Sequence, residues 1–313
     1  MTRSQTLAMT GGINDYAKGL INQEAVNGLA ADAYHLTGDA VPATTNFEYQ
    51  AFNDNAGTQI IDTKVSRNDP NYPTISFGGT KTSGQLEANG LQSDYYRVTN
   101  RPDNDIILDI RQAAALGTHV ALLSRLNSIF TIAAASAGTG TIDSTDTALD
   151  VVKSLQTYVG DVEKACGGFC EVHLLWGLTA FLKITGHTKF QSRISGGGKK
   201  DPSSVTIEQL DNVLAMNTSS RRSRAVYNSA ALGQSVSNDW LVGSYLYIAA
   251  VSRSPNKTDP AALKLFANQS AASGLLVPRY VSHADNNYEQ VKWDWEEKAV
   301  VTNASAIKKI TIT

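Results

Sequence analysis

The chain has 313 residues, 42% of them hydrophobic and 18% charged, with a formal net charge of −2. That apolar share supports a folded core and excludes a disordered chain, while the near-neutral balance excludes binding of nucleic acid by bulk electrostatics. Charges fall below the usual quarter, so Asn, Ser, Thr, Gly and Ala make a surface that neighbours can bury at low desolvation cost.

The opening residues Met1 to Gln5 begin no apolar run of signal-peptide length, and no stretch reaches the ~20 apolar residues of a membrane span. The reading is a soluble product of a reducing cytoplasm, with no membrane partner. Residues 1 to 45 read as an arm with a helical piece over Asn14–Ala33, where Tyr16, Leu20, Ala25, Leu29 and Ala33 are loosely spaced and Gly19 and Gly28 weaken the helix. From Asn46 the period changes. Phe47, Tyr49 and Ala51 alternate with Glu48 and Gln50, and Thr58–Ser66 is again strand-like, with Ile60, Ile61, Thr63 and Val65. Arg67–Pro73 is turn chemistry, Thr74–Phe77 is extended, and Gly78-Gly79 breaks it. Residues 46–91 thus form a long β excursion too poor in apolar residues to bury its own face, so it is expected to bury that face elsewhere.

Pro102-Asp103-Asn104-Asp105 then offers a helix start, with acids at the positive end of the dipole. Ile106, Ile110, Ala113, Leu116, Val120, Leu123, Leu126 and Phe130 follow at intervals of three or four, predicting an inward stripe on a helix that runs to about Ala137. At 1.5 Å per residue it would be roughly 50 Å long, a strut for the whole subunit.

Beyond the strut the elements alternate. Helices are expected over Asp146–Lys164 (Leu149, Val152, Leu155, Val159 and Val162 inward), Leu178–Ile184 and Thr206–Leu214, the last capped by Thr206. Strands are expected over Glu171–Trp176, Arg224–Asn228, Tyr245–Val251, Val277–Val281, Tyr288–Trp295, Ala299–Thr302 and Ala306–Ile312, with a loop over Ser195–Pro202.

No catalytic constellation emerges. Gly198-Lys199-Lys200 lacks the hydroxyl and earlier glycine of a phosphate loop, and neither a dinucleotide fingerprint nor a nucleophile elbow occurs. Cys166 and Cys170, with His173 near, lack a fourth ligand and read as structural thiols. His35, His119, His173, His187 and His283 are scattered singly and read as satisfied or surface histidines. Around Asp294, Glu296 and Glu297, the alternation Trp293-Asp294-Trp295 favours an aromatic core face and an acidic outer face over acid–base work. Arg221-Arg222-Ser223-Arg224 reads as a solvated or subunit-contact patch. The catalytic, cofactor and metal assignments are therefore none, and the chain is not read as an enzyme.

The order of elements carries more than any motif. Ser93-Asp94-Tyr95-Tyr96-Arg97-Val98 leading into Asp103-Asn104-Asp105 and the long helix resembles the approach to the spine helix of the major capsid (coat) proteins of tailed bacteriophages, the Hong Kong 97-type fold family. The helix at Ala148–Lys164, then Glu171–Gly177 and a short helix ending near Gly186-His187, resembles the start of that family's axial domain. Thr206–Leu210, Arg224–Asn228 and Tyr245-Leu246-Tyr247 resemble its later half, and Glu297–Thr302 followed by Ala306–Ile310 resembles its closing strands.

The resemblance implies an α+β fold with an N-terminal arm (1–45), an extended β-hairpin loop (46–91), a peripheral domain holding the spine helix (92–145), an axial domain (146–284) and a C-terminal return into the peripheral domain (285–313). It implies a structural protein that self-assembles into pentamers and hexamers of an icosahedral phage head, assembled in host cytoplasm and resident in the virion. The head would enclose double-stranded DNA without sequence-specific binding. Implied partners are copies of itself, a separate scaffolding protein (no long helical prodomain is seen) and a portal, with a decoration protein left open; no crosslinking residues can be matched. In this reading Tyr72, Ile75 and Phe77 of the loop, and Tyr16, Ile21 and Leu29 of the arm, are assembly contacts laid on a neighbour. The alternatives are an encapsulin-type nanocompartment shell with an enzyme cargo, a tail-tube protein, which is mostly β and sits poorly with the long helix, and a hydrolase hidden in the axial region without a nucleophile–base signature.

Overall fold

The structure, a computed structural model, describes residues 24–52, 79–96, 103–195, 205–230, 235, 237–268, 278–283 and 288–313. The strands expected over Thr58–Ser66 and Thr74–Phe77 lie outside these residues, as do most of the loop expected over Ser195–Pro202 and the first part of the arm helix.

The arm helix appears as α1 (Glu24–Thr37), which stops where the Thr37 hydroxyl donates back to the Ala33 carbonyl. After β1 (Val41–Pro42), β2 (Asn46–Ala51) pairs antiparallel with β3 (Thr80–Gln85), so the described part of the excursion is a hairpin stem. Phe47 stacks on Phe266 at 4.2 Å within a small apolar cluster that includes Val41, Leu86 and Val300. The excursion is thereby rooted in its own subunit. β4 (Glu87–Tyr96) follows, then the strut α2 (Asp103–Ser136), 34 residues long as the sequence predicts to within one residue at its end.

Gly138 ends the strut, as expected, but the chain continues directly as β5 (Gly138–Ile142), a strand the breakers conceal. α3 (Val151–Ala165) buries Val152, Leu155, Val159 and Val162 as predicted and is capped by Asp150, whose carboxylate accepts from the Lys153 amide. β6 (Glu171–Trp176) and α4 (Leu178–Gly186) match expectation; α5 (Thr188–Ser195) does not appear in the sequence reading. α6 (Ile207–Leu214) carries a full capping box, in which Thr206 and Gln209 each satisfy the other's backbone amide. β7 (Thr218–Arg222), β8 (Val226–Asn228), β9 (Asn238–Trp240), β10 (Tyr245–Val251), β11 (Leu263–Ala267), β12 (Arg279–His283), β13 (Tyr288–Val301) and β14 (Ile307–Ile312) complete the chain.

Two five-stranded sheets organise these strands. In one, β13 is the long central strand: β4 runs antiparallel along one edge of residues 288–297, while β12 and then β11 share the other edge, with β1 beyond β11. In the other the order is β5-β14-β10-β6-β7, with β10 antiparallel to both neighbours and β5 and β7 added parallel at the edges. Sheet membership crosses the segment boundaries expected at 145 and 284. β11 and β12 join the sheet of β13, and β14, expected to return with β13, instead lies between β5 and β10. Its Ile307, Ile310 and Ile312 are all buried, so this strand packs apolar side chains into the core on both of its faces.

The strut has the predicted length but shows a different face. Ile110, Ala114, Thr118, Ala121, Leu122, Arg125, Leu126, Ile129, Phe130 and Ala133 are buried, whereas Leu116 and Val120 of the expected stripe are 65% and 41% exposed. The reason is close approach to β13. Trp293 lies against Gly117 and donates its indole N–H to the Thr118 hydroxyl at 3.2 Å, so that face takes small and polar residues. Hydrophobicity alone also selects Ile110, Leu126 and Phe130, but it puts Leu116 and Val120 inward in place of Thr118 and Arg125.

Candidate assembly surface

Of the six residues expected to make assembly contacts, Tyr16, Ile21, Tyr72, Ile75 and Phe77 lie outside the described residues. Leu29 corrects the expectation: it is 4% exposed and belongs to the main core of its own subunit. α1 packs along α2, and a leucine at that depth serves the fold, not a neighbour. The sequence missed this because the arm's helical spacing is loose and carries no sign of which side is covered.

What the strut does present outward is apolar. Leu116 and Val120, one turn apart, stand on its exposed side. Other large exposed apolar side chains are Tyr34, Phe169, Leu182, Val226 and Trp240. Single exposed apolar residues are ordinary; two on adjacent turns of the longest helix make a strip that a second surface can cover.

The chemistry-bearing side chains fall into separate interior contacts, each internally paired. At the seam between α1 and the β6–β7 edge, Arg221 Nε donates to buried Asp32 at 2.6 Å and Nη2 donates to the Gly28 carbonyl at 3.2 Å. Burial pushes the Asp32 carboxyl up, against the lowering effect of Ser223 and Arg221. Beside it the rings of His35 and His173 stack at 4.5 Å. His35 Nε2 donates to the Leu174 carbonyl, and His173 Nδ1 donates to the His35 carbonyl. Burial, with the neighbouring His173, lowers His35 to about 3, so it is neutral at physiological pH. These are satisfied core histidines that zip a helix to a strand. His187 is similar: it is buried, its Nε2 donates to the Asp146 carbonyl, and its Nδ1 accepts from the Lys189 amide. His119 is half-buried, and the side chain of His283 lies outside the described residues.

At the end of α3 the Cys166 thiol donates to the Glu163 carbonyl at 3.3 Å, and the proximity of Cys170 lowers Cys166 while Cys166 and burial raise Cys170. Nearby Lys264 is fully buried and donates to the Asp259 carbonyl oxygen at 2.7 Å, with the Asp259 carboxylate at 3.4 Å. Burial lowers this lysine, and Asp259 opposes that shift. The cysteines are free, and no group of three or more metal-binding side chains gathers among the described residues.

The acids near the C-terminus do not converge. Trp293 and Trp295 face the core and Asp294 faces out, where it pairs with Arg279 at 2.5 Å, as the alternation predicts. Glu297 lies on the core face and accepts from buried Arg125 of α2 at 2.7 Å, a pair the sequence reading missed. Its only signal was Arg125 standing one helical turn from Leu122 and Ile129 on the face that proved to be buried. No helix among the described residues is long and apolar enough to cross a membrane.

No family model matches the sequence, and no curated protein is significantly similar to it. Solved structures are similar across nearly the whole chain. A phage-related protein from Bordetella bronchiseptica RB50 superposes with a TM-score of 0.67 at 15% identity, covering 96% of this chain and 95% of its own. A virus-like particle from Pyrococcus furiosus gives 0.52 at 10% identity over 96% and 98% of the two chains. The mature capsid of bacteriophage PhiM1 gives 0.51 at 8% identity over 88% and 86%. At these identities the likeness is one of architecture, and it is the architecture the order of segments implied: the chain has the α+β, Hong Kong 97-type fold of tailed-phage capsid proteins.

Proposed function

We propose that the chain is the major capsid subunit of a tailed-phage head, assembling with copies of itself into pentamers and hexamers of an icosahedral shell that encloses double-stranded DNA. The observation that carries this reading is the likeness to a virus-like particle and to a mature phage capsid over nearly the full length of the compared chains. The internally paired interior and the outward Leu116–Val120 strip support it. In the proposed particle, Tyr16 and Ile21 of the arm and Tyr72, Ile75 and Phe77 of the excursion dock on neighbours and order as they do so, which keeps single contacts weak and makes closure cooperative. Assembly in host cytoplasm with a scaffolding protein and a portal, and residence in the virion, belong to the same proposal.

Expression of the full chain, followed by size-exclusion chromatography and electron microscopy, tests it: closed particles are expected, and a monodisperse monomer under all assembly conditions overturns it. Deleting residues 66–80 should leave folded, soluble subunits that form no shells. The second reading, an encapsulin-type compartment, is favoured by the Pyrococcus furiosus particle. Copurifying contents separate the two, since a folded cargo enzyme supports the compartment and a requirement for a scaffolding protein supports the phage head.

A further inference from the structure

The turn that ends α3 brings the chain's two cysteines together. Gly167 and Gly168 adopt positive φ angles of 65° and 75°, a conformation that residues with a Cβ rarely take. The Gly168 amide donates to the Glu163 carbonyl and the Gly167 amide to the Lys164 carbonyl, both at 3.1 Å, which is the crossed pair of bonds of a glycine helix stop. The Phe169 amide then closes back on the Cys166 carbonyl at 3.3 Å, so the chain reverses and Cys170 returns beside Cys166 just before β6 begins. The turn is pinned from the C-terminal segment, where fully buried Asn303 donates its side-chain amide to the Ala165 carbonyl at 3.1 Å.

The two thiols differ in access. Cys166 is fully buried and its Sγ donates to the Glu163 carbonyl, whereas Cys170 is partly exposed, and both are free. Each is the leading influence on the other: Cys170 lowers Cys166 to about 6, and Cys166, with burial, raises Cys170. Asp259 and Lys264 of β11 also face Cys170, with opposite effects on it. We propose that Cys166 and Cys170 form an oxidative modification site, in which a peroxide attacks the accessible Cys170 and the buried Cys166 resolves the product as a disulfide that staples the end of α3 to the start of β6. In the first step the peroxide O–O bond breaks, Cys170 takes one oxygen as a sulfenic acid, and one water leaves. In the second the Cys166 sulfur attacks the Cys170 sulfur, the S–O bond breaks, and the hydroxyl leaves as a second water with the Cys166 proton. Over both steps two thiols lose two hydrogens and two electrons, and one peroxide becomes two waters. A lowered Cys166 suits the second step, because the thiolate is the attacking form. The proposal does not rest on the shell reading, since an isolated subunit contains the whole site.

The test treats the reduced full chain, freed of reductant, with a modest excess of hydrogen peroxide. Thiols titrated after denaturation should fall from two to none, and the intact mass should fall by two hydrogens. The product should run as a single uncrosslinked chain on a non-reducing gel, peptide mapping should place the bridge between Cys166 and Cys170, and dithiothreitol should restore both thiols. Because the turn already holds the sulfurs together, the bridged chain should melt at or above the reduced one. Cys170→Ser, at the partly exposed position, should keep its remaining thiol under the same treatment; the wild-type measurements stand without this variant should it misfold. Persistence of both thiols in wild type, oxygen gained without a bridge, linkage between chains, or a bridged form that melts well below the reduced one overturns the proposal. Loss of the Cys166 thiol in folded Cys170→Ser at the wild-type rate also overturns it, because the first attack would then fall on the buried sulfur.

Discussion

A Cβ placed on Gly117 would lie 2.2 Å from Cη2 of Trp293. The strut and the central strand β13 touch here so closely that no other residue fits, and the indole N–H held by the adjacent Thr118 fixes the ring in that position. Gly117→Ala should therefore destabilise the subunit although alanine is the better helix former by about 1 kcal/mol. Overpacking a buried tryptophan costs about 1–3 kcal/mol beyond that gain. Gly160, in the middle of α3, is the control: nothing lies within 4 Å of a Cβ there, so Gly160→Ala should stabilise by about 0.5–1 kcal/mol. Thermal melts of the two variants should move in opposite directions, and a Gly117→Ala protein that melts at or above wild type refutes the account of the strut's face.

About 12 Å further along the same helix, the seam depends on charge rather than fit. Arg125 and Glu297 are both buried, and the arginine Nε lies 2.7 Å from the carboxylate. Removing one partner takes from the other, buried charge its closest counter-charge, at a cost of about 3–5 kcal/mol, whereas replacing both with apolar residues is far less costly. Urea denaturation should show Glu297→Gln much less stable than wild type, with Arg125→Met/Glu297→Leu recovering most of the loss. Additive losses in the double variant would show that the two side chains act independently.

These two contacts also explain what the sequence conveyed and what it concealed. Periodicity located α2, β6 and β10 almost to the residue and α3 except for its first five residues, because each buries a face made of conventionally apolar side chains, and the Thr206–Gln209 spacing announced the cap of α6. It misplaced the inner face of α2, where Gly117, Thr118 and Arg125 pack inward for reasons that exist only once Trp293 and Glu297 are opposite them. It missed β7, whose Thr-Ser-Ser-Arg-Arg has no apolar residue: its backbone is secured by parallel pairing to β6, and Ser220 by Asp211. It missed β5 because Gly138 and Gly140 read as breakers, yet a Cβ on Gly140 would meet the Tyr158 ring at 2.7 Å. The assembly surface was least legible. Leu29 looked free and is buried, while Leu116 and Val120 looked buried and are free.

The stacked pair His35–His173 gives the fold a defined response to acid. His35 is held near 3 in the folded chain and returns to about 6.5 on unfolding. Between those values the unfolded chain binds the extra proton, so stability is complete above about pH 6.5 and falls as pH drops toward 3, by at most about 1.4 kcal/mol per pH unit. Asp32, pushed up by burial, works in the opposite sense within the carboxylate range. The difference between wild type and His35→Gln therefore isolates the histidine. Urea midpoints measured from neutral to acidic pH should fall less steeply for the variant, and identical slopes would remove His35 from the acid response.

The outward strip of the strut gives the sharpest separation between folding and assembly. Leu116 and Val120 are exposed in the isolated subunit, so replacing them costs the fold little: surface substitutions away from buried contacts usually stay within about 0.5 kcal/mol. Covered by a neighbour, each buried leucine- or valine-sized side chain contributes about 1.5–3 kcal/mol, and a carboxylate placed there brings a desolvation cost in addition. A closed shell repeats that difference at every subunit, so a modest loss per contact becomes an all-or-none loss of particles. Leu116→Glu/Val120→Glu should melt like wild type, run as a folded monomer or capsomer on size exclusion, and yield no closed particles by electron microscopy. Normal particles from this variant would show that the strut's outer face stays in solvent in the assembled shell, and that the contacts must be sought elsewhere on the subunit.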